Sequence, residues 1–126
     1  HPRTAAALER QGLQLSPRIL TTRPLGYLDT LCLVQSAQAL LTDSGGLQEE
    51  AAVLGTPILL VRNETEWRYL VEAGVAVLIG NCYESILAGA ATWLSPAGLA
   101  RLRSARSPII SGAAERAVEI MAVHVR

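Results

Sequence analysis

Three short apolar runs do most to constrain how this chain can fold: Ala39 to Thr42 (ALLT), Pro57 to Val61 (PILLV) and Val75 to Ile79 (VAVLI). None alternates polar with apolar residues, as a strand with one wet face would, so each reads as a strand buried on both faces. Stretches with helical spacing separate them. The order strand, helix, strand, helix predicts an α/β fold, a Rossmann-like parallel sheet with helices on both faces. Aromatic residues make up only 4% of the chain and Phe is absent, so the core has to be built from Leu, Val, Ile and Ala. A length of 126 residues suits one domain with one core.

The other elements are read from periodicity and from start and stop residues. Residues 4–11 predict a helix ended by Gly12, and Arg18 to Thr22 (RILTT) a strand carrying Ile19 and Leu20. Tyr27 to Gln38 repeats Leu28, Leu31, Leu33, Val34 and Ala37 at helical spacing, with Cys32 expected on the apolar face as a small core residue. Helices are also expected over Gly46 to Leu54, with Ser44 as N-cap, and over the TEWRYLVEAG stretch, with Thr65 as N-cap. Three more are expected over Tyr83 to Leu94, Pro96 to Ala105 and Gly112 to the end.

Charge and cysteine content remove several classes of function. The 11 basic residues, all Arg, balance 11 acidic ones. Arg101, Arg103 and Arg106 read as a solvated helix face and not as a nucleic-acid stripe, so no nucleic-acid partner is expected. Cys32 and Cys82 form neither a disulfide framework nor a metal motif. No apolar stretch is long enough to span a membrane, nothing at the start resembles a signal peptide, and a cytoplasmic location is expected. The chain starts His1-Pro2-Arg3 without Met, as a piece of a larger protein would.

Chemistry concentrates between Leu41 and Val61, LTDSGGLQEEAAVLGTPILLV. Ser44-Gly45-Gly46 falls where a buried strand ends and a helix begins, which is where ligands bind in open α/β sheets. A helix N-terminus exposes unpaired N–H groups and partial positive charge; glycines let an anion approach them, and a Ser hydroxyl adds a donor. Glu50, more than a turn into the helix, is placed to accept hydrogen bonds from two vicinal hydroxyls such as those of a ribose. Phosphate at the cap and sugar beside the helix together suit a nucleotide. The same residues also fit a plain strand-to-helix turn, with Glu49 and Glu50 complementing the dipole and Asp43 as a turn residue. Arg62, just after a strand, can neutralise an anion at the same sheet edge or stand as a surface residue. His1 carries no role by position.

The run TDSGGLQEEAAVLGTPILLVRNETEW resembles the signature of the non-hydrolysing UDP-N-acetylglucosamine 2-epimerases, and PLGYLDTLCLVQSAQALL and VEAGVAVLIG resemble its flanks. HPRT at the start resembles a further motif of that family. The resemblance implies one half of a GT-B enzyme, in which two Rossmann-like domains close over a sugar nucleotide. Residues 1–126 would be the carboxyl-terminal, UDP-binding domain, with the amino-terminal domain absent from the chain. Carried over by position, Ser44, Gly45 and Gly46 would contact the diphosphate and Glu50 the ribose, while Tyr27 to Thr30 would border the uracil.

The implied reaction inverts C2 of the sugar by eliminating UDP and adding it back, without metal or redox cofactor, so UDP or a UDP-sugar is the expected ligand. The acid/base carboxylates and a catalytic histidine would lie outside this chain, in the missing domain, and a homodimer of the full enzyme is compatible. Three departures stand out. Thr30 is small where many members carry an aromatic residue, Thr65-Glu66-Trp67-Arg68-Tyr69 replaces Thr-Glu-Arg-Pro-Glu, and residues 107–112 replace Asn-Pro-Tyr-Gly-Asp-Gly. Two alternatives stay open at this level: a UDP-sugar glycosyltransferase half-domain and a non-catalytic nucleotide-binding module.

Overall fold

A computed structural model describes residues 2–110 and 112–124 of the chain. His1, Ser111 and the last two positions therefore lie outside the described residues. In chain order the elements are α1 (Pro2–Arg10), α2 (Tyr27–Ser36), β1 (Leu40–Thr42), α3 (Gly45–Leu54), β2 (Ile58–Leu60), α4 (Arg68–Glu72), β3 (Ala76–Leu78), α5 (Tyr83–Trp93), α6 (Pro96–Ser104) and α7 (Ala113–His124). None of the helices is long and apolar enough to cross a membrane among the described residues.

The three strands form a parallel sheet in the order β1-β2-β3, with Leu41, Leu59 and Val77 in one row across it. Ile58, Leu59 and Leu60 of the central strand are fully buried, each stabilising the fold by about 1.5–3 kcal/mol. On one face Ile58, Leu60 and Ala76 pack with Val34 of α2, Ala51 and Ala52 of α3 and Leu70 of α4. On the other, Leu59 packs with Ile79 and with Leu102 of α6, flanked by Ile86 and Trp93 of α5. Helices thus cover both faces, as the apolar runs predict.

Crossovers between strands are made tight by glycine. Gly55 (φ 74°) and Gly74 (φ 77°) adopt the left-handed conformation that closes α3 and α4 before the chain turns into β2 and β3. Next to the first of these turns, the buried Thr56 hydroxyl donates to the Val34 carbonyl at 2.9 Å and ties the end of α2 to the start of β2.

Four expectations need correction. Arg18 to Thr22 forms no strand, because no strand of the described chain lies beside it to take its backbone hydrogen bonds, and Leu20 is 91% exposed. β1 is not buried on both faces: it is a sheet edge, α5 and α6 cover the sheet further across, and Leu41 is 54% exposed. Cys32 is exposed, since α2 turns Val34 and not Cys32 into the core. The helix expected from Thr65 starts only at Arg68, and the Thr65 hydroxyl is drawn into a buried side-chain bond instead of a cap.

Candidate functional site

β1 ends at Thr42, and two residues later Ser44 occupies the N-cap of α3 with extended backbone (φ −74°, ψ 127°). Its N–H is held by the Thr42 hydroxyl at 3.0 Å. Its own hydroxyl makes no cap bond, so it remains an exposed donor beside the first-turn amides of Gly45, Gly46 and Leu47, which no intrahelical carbonyl can reach. Neither glycine has a positive φ. No acidic residue sits in this first turn, which leaves the positive end of the helix dipole open to an outside anion.

Behind the turn the chain is braced. The amide of fully buried Gln48 donates to the Ser44 carbonyl at 3.1 Å, and the Trp67 indole N–H donates to the Gly45 carbonyl at 3.0 Å. The Thr65 hydroxyl donates to Gln48 Oε1 at 2.8 Å and accepts from the Trp67 backbone N–H at 3.2 Å. The Tyr69 ring meets Trp67 edge-on, with centroids 6.0 Å apart at 79°, while its hydroxyl donates to Glu49 at 2.8 Å.

Further along α3, a groove of about 400 Å³ is lined by Tyr27 and Leu31 of α2, Glu49, Glu50 and Val53 of α3, and Ile109. Its volume lies in the range of small-molecule sites. Glu50 is half-buried, and its carboxylate beside the Tyr27 phenol in this groove raises the Tyr27 pKa from 10.0. For Tyr69 burial is the larger cause of the rise and Glu49 the second. The Tyr69 phenol is thus a neutral donor to the Glu49 carboxylate at neutral pH. Moving five positions along a helix covers about 7.5 Å, which is the axial distance from Gly45 to Glu50.

Tyr27 and Glu50 line one groove, while Ser44, Gly45 and Gly46 lie outside its lining, at the N-terminal end of α3. Thr30 stands apart from the groove lining, and its hydroxyl is turned back onto the Gly26 carbonyl at 2.9 Å. Arg62 is held by both oxygens of Glu66 at 2.9 and 3.0 Å, a pairing that raises the arginine pKa further and lowers that of Glu66. The guanidinium is already neutralised. Sequence reading missed Gln48, Trp67 and Tyr69 as partners of the turn. Their types were visible, but not that the segment after β2 folds over the start of α3.

Comparison with known proteins adds independent findings. The sequence model of the family described as UDP-N-acetylglucosamine 2-epimerase matches residues 1–122. The chain is 43% identical over 94 residues to the UDP-2,3-diacetamido-2,3-dideoxy-D-glucuronate 2-epimerase of Pseudomonas aeruginosa, covering 75% of this chain and 26% of that protein. It is 34% identical over 126 residues to the UDP-N-acetylglucosamine 2-epimerase of Methanocaldococcus jannaschii, covering 96% and 33%. The crystal structure of that M. jannaschii enzyme, in complex with UDP-GlcNAc and UDP, superposes with a TM-score of 0.78 at 34% identity over 98% of this chain and 34% of that one. The S. aureus MnaA-UDP co-structure gives 0.85 at 29% identity, with coverages of 99% and 34%. The chain spans about a third of these relatives or less.

Proposed function

The chain belongs to the UDP-N-acetylglucosamine 2-epimerase family, and on that premise we propose that it is the part of a larger epimerase that grips UDP. The observation that carries this reading is a pair of glycines that the fold does not need. A methyl group added at Gly46 would meet no atom within 4 Å, and one at Gly45 only the Trp67 indole nitrogen at 3.8 Å. By contrast, a methyl at Gly89 would sit 2.5 Å from Ile79, and one at Gly98 2.5 Å from the Thr92 carbonyl. Side chains at the start of a helix lean toward its N-terminus, so what bare glycine keeps open at 45 and 46 is the approach to the amides.

In this reading the diphosphate rests on the N–H groups of Gly45 and Gly46 and the Ser44 hydroxyl. Glu50 accepts from the ribose hydroxyls and Tyr27 borders the base. Thr30 and Arg62 take smaller parts: the first has its hydroxyl committed to its own helix, and the second reaches an anion only by leaving Glu66. The complete protein, on this proposal, interconverts UDP-N-acetylglucosamine and UDP-N-acetylmannosamine. The bond from C1 to the UDP oxygen breaks with its electron pair on UDP while a proton leaves C2, giving an unsaturated sugar. UDP then adds back to C1 as C2 is reprotonated on the opposite face. Negative charge grows on the diphosphate as it departs, so donors aimed at it are worth more in the transition state than in the ground state. The proton chemistry at C2 falls to groups beyond this stretch, in a paired Rossmann-like domain.

The 43% identity with the P. aeruginosa enzyme favours a second reading of the sugar alone, a diacetamido uronic acid carried on the same UDP. Turnover of the two UDP-sugars by the complete protein separates them. The UDP reading is tested with UDP and 2′-deoxy-UDP on the complete protein. Glu50→Gln is expected to weaken UDP about tenfold and to abolish its advantage over the deoxy analogue, since a hydroxyl bond to a charged acceptor is worth about 1.5–3 kcal/mol. Equal affinities of the native protein for both nucleotides would remove Glu50 from the ribose.

A further inference from the structure

The peptide group is a rigid plane in which C=O and the next N–H point in opposite directions. Fixing a carbonyl from behind therefore aims the following N–H in front. At the start of α3 this happens twice in succession. Gln48 Nε2 holds the Ser44 carbonyl at 3.1 Å, which orients the Gly45 N–H, and Trp67 Nε1 holds the Gly45 carbonyl at 3.0 Å, which orients the Gly46 N–H.

Each anchor is itself fixed. The Thr65 hydroxyl has one proton and gives it to Gln48 Oε1 at 2.8 Å, leaving the Gln48 amide only one useful orientation, with Nε2 toward Ser44. Gln48 is 0% and Thr65 6% exposed, so both side chains lie in the interior. Trp67 is secured by its backbone N–H on Thr65 and by the Tyr69 ring against its edge, and Tyr69 is secured in turn by its bond to Glu49 of α3. Two of these residues, Trp67 and Tyr69, stand where the family pattern has Arg and Glu. Trp67, a tolerable variant at the Arg position, supplies one of the two anchors, and Tyr69, in place of the Glu, braces it.

We propose that Gln48, Thr65 and Trp67 are positioning residues for the diphosphate, touching no ligand and acting by aiming the amides of Gly45 and Gly46. This rests on the reading that the Ser44–Gly46 turn binds a diphosphate. Glycine has the most backbone freedom to lose, and amides already aimed need no reordering when the anion arrives.

The test is calorimetric titration of the complete protein with UDP and with uridine, which lacks phosphate. Trp67→Phe keeps the ring and removes the N–H. It is expected to weaken UDP about fivefold while uridine changes by less than about twofold, as for one lost hydrogen bond. Thr65→Val frees the Gln48 amide and is expected to act in the same direction, with Thr65→Ser restoring native affinity; this pair decides the matter if Trp67→Phe does not fold. Variants that leave UDP binding unchanged, or weaken uridine as much as UDP, overturn the positioning role, because a merely structural brace would treat both ligands alike. A native protein that binds UDP no more tightly than uridine overturns the diphosphate reading itself, before any variant is made.

Discussion

Gly46→Ala sets the needs of the fold against those of the ligand. Gly46 lies in the first turn of α3 with a φ that any residue adopts, and an added methyl meets nothing within 4 Å. Replacing glycine by alanine in a helix gains about 0.5–1 kcal/mol. Close to the helix end the lower figure applies, so the variant is expected to be about 0.5 kcal/mol more stable. The methyl leans toward the helix N-terminus, into the space an anion needs. Pushing a phosphate off one amide forfeits a charge-assisted hydrogen bond of about 1.5–3 kcal/mol, which is about tenfold to a hundredfold in affinity. The assay pairs thermal unfolding without ligand with UDP titration of the complete protein. A midpoint equal to or above the native one, with UDP binding lost by at least about tenfold, is the expected pair of results. A variant that loses stability, or one that binds UDP as the native protein does, refutes the reasoning.

Gly89→Ala is the opposite case: its methyl would lie 2.5 Å from Cβ of buried Ile79. The variant should lose about 1–3 kcal/mol on unfolding, while the folded fraction binds UDP normally; unchanged stability would contradict the close packing of α5 on the residue after β3. In the ligand-free protein Tyr27 and Tyr69 are expected to titrate above 10.0, observed by NMR of labelled tyrosine rings assigned with Tyr27→Phe and Tyr69→Phe. Folding raises both values, so the stabilisation they contribute is full below about pH 10 and fades as the pH climbs through the raised values. Titration at or below 10.0 contradicts the placement of Glu50 beside Tyr27, or for the other ring the burial of Tyr69 and its bond to Glu49.

The sheet was legible because β1, β2 and β3 are apolar runs, and the helices before β2 and β3 end at glycines in the left-handed conformation that glycine adopts easily. The turn at Ser44 was legible for a related reason, since strand, small residues and helix in succession admit few geometries. Other features depend on what lies across from a residue, and periodicity does not encode that. Leu41 and Cys32 looked like core, yet their burial depends on which helix covers which part of the sheet. Arg18 to Thr22 has strand residues without a strand to pair with. Thr65 carries a helix-start signal, but a hydroxyl that can cap a helix can also bond Gln48, 17 positions away. The Trp67–Gly45 bond spans 22 positions and arises only when the segment after β2 closes over α3. For Arg62 a free cation and a paired one read identically in sequence, and only Glu66, four positions on, decides between them.

The central claim is that the amides of Gly45 and Gly46, with the Ser44 hydroxyl and the Glu50 carboxylate, form one cradle for uridine diphosphate. A crystal structure of the complete protein grown with UDP tests it most directly. The account predicts phosphate oxygens within hydrogen-bond reach of both glycine amides and the two ribose hydroxyls on Glu50, with the Gln48 and Trp67 anchors in place behind the turn. UDP bound elsewhere, with this turn left to solvent, would contradict it.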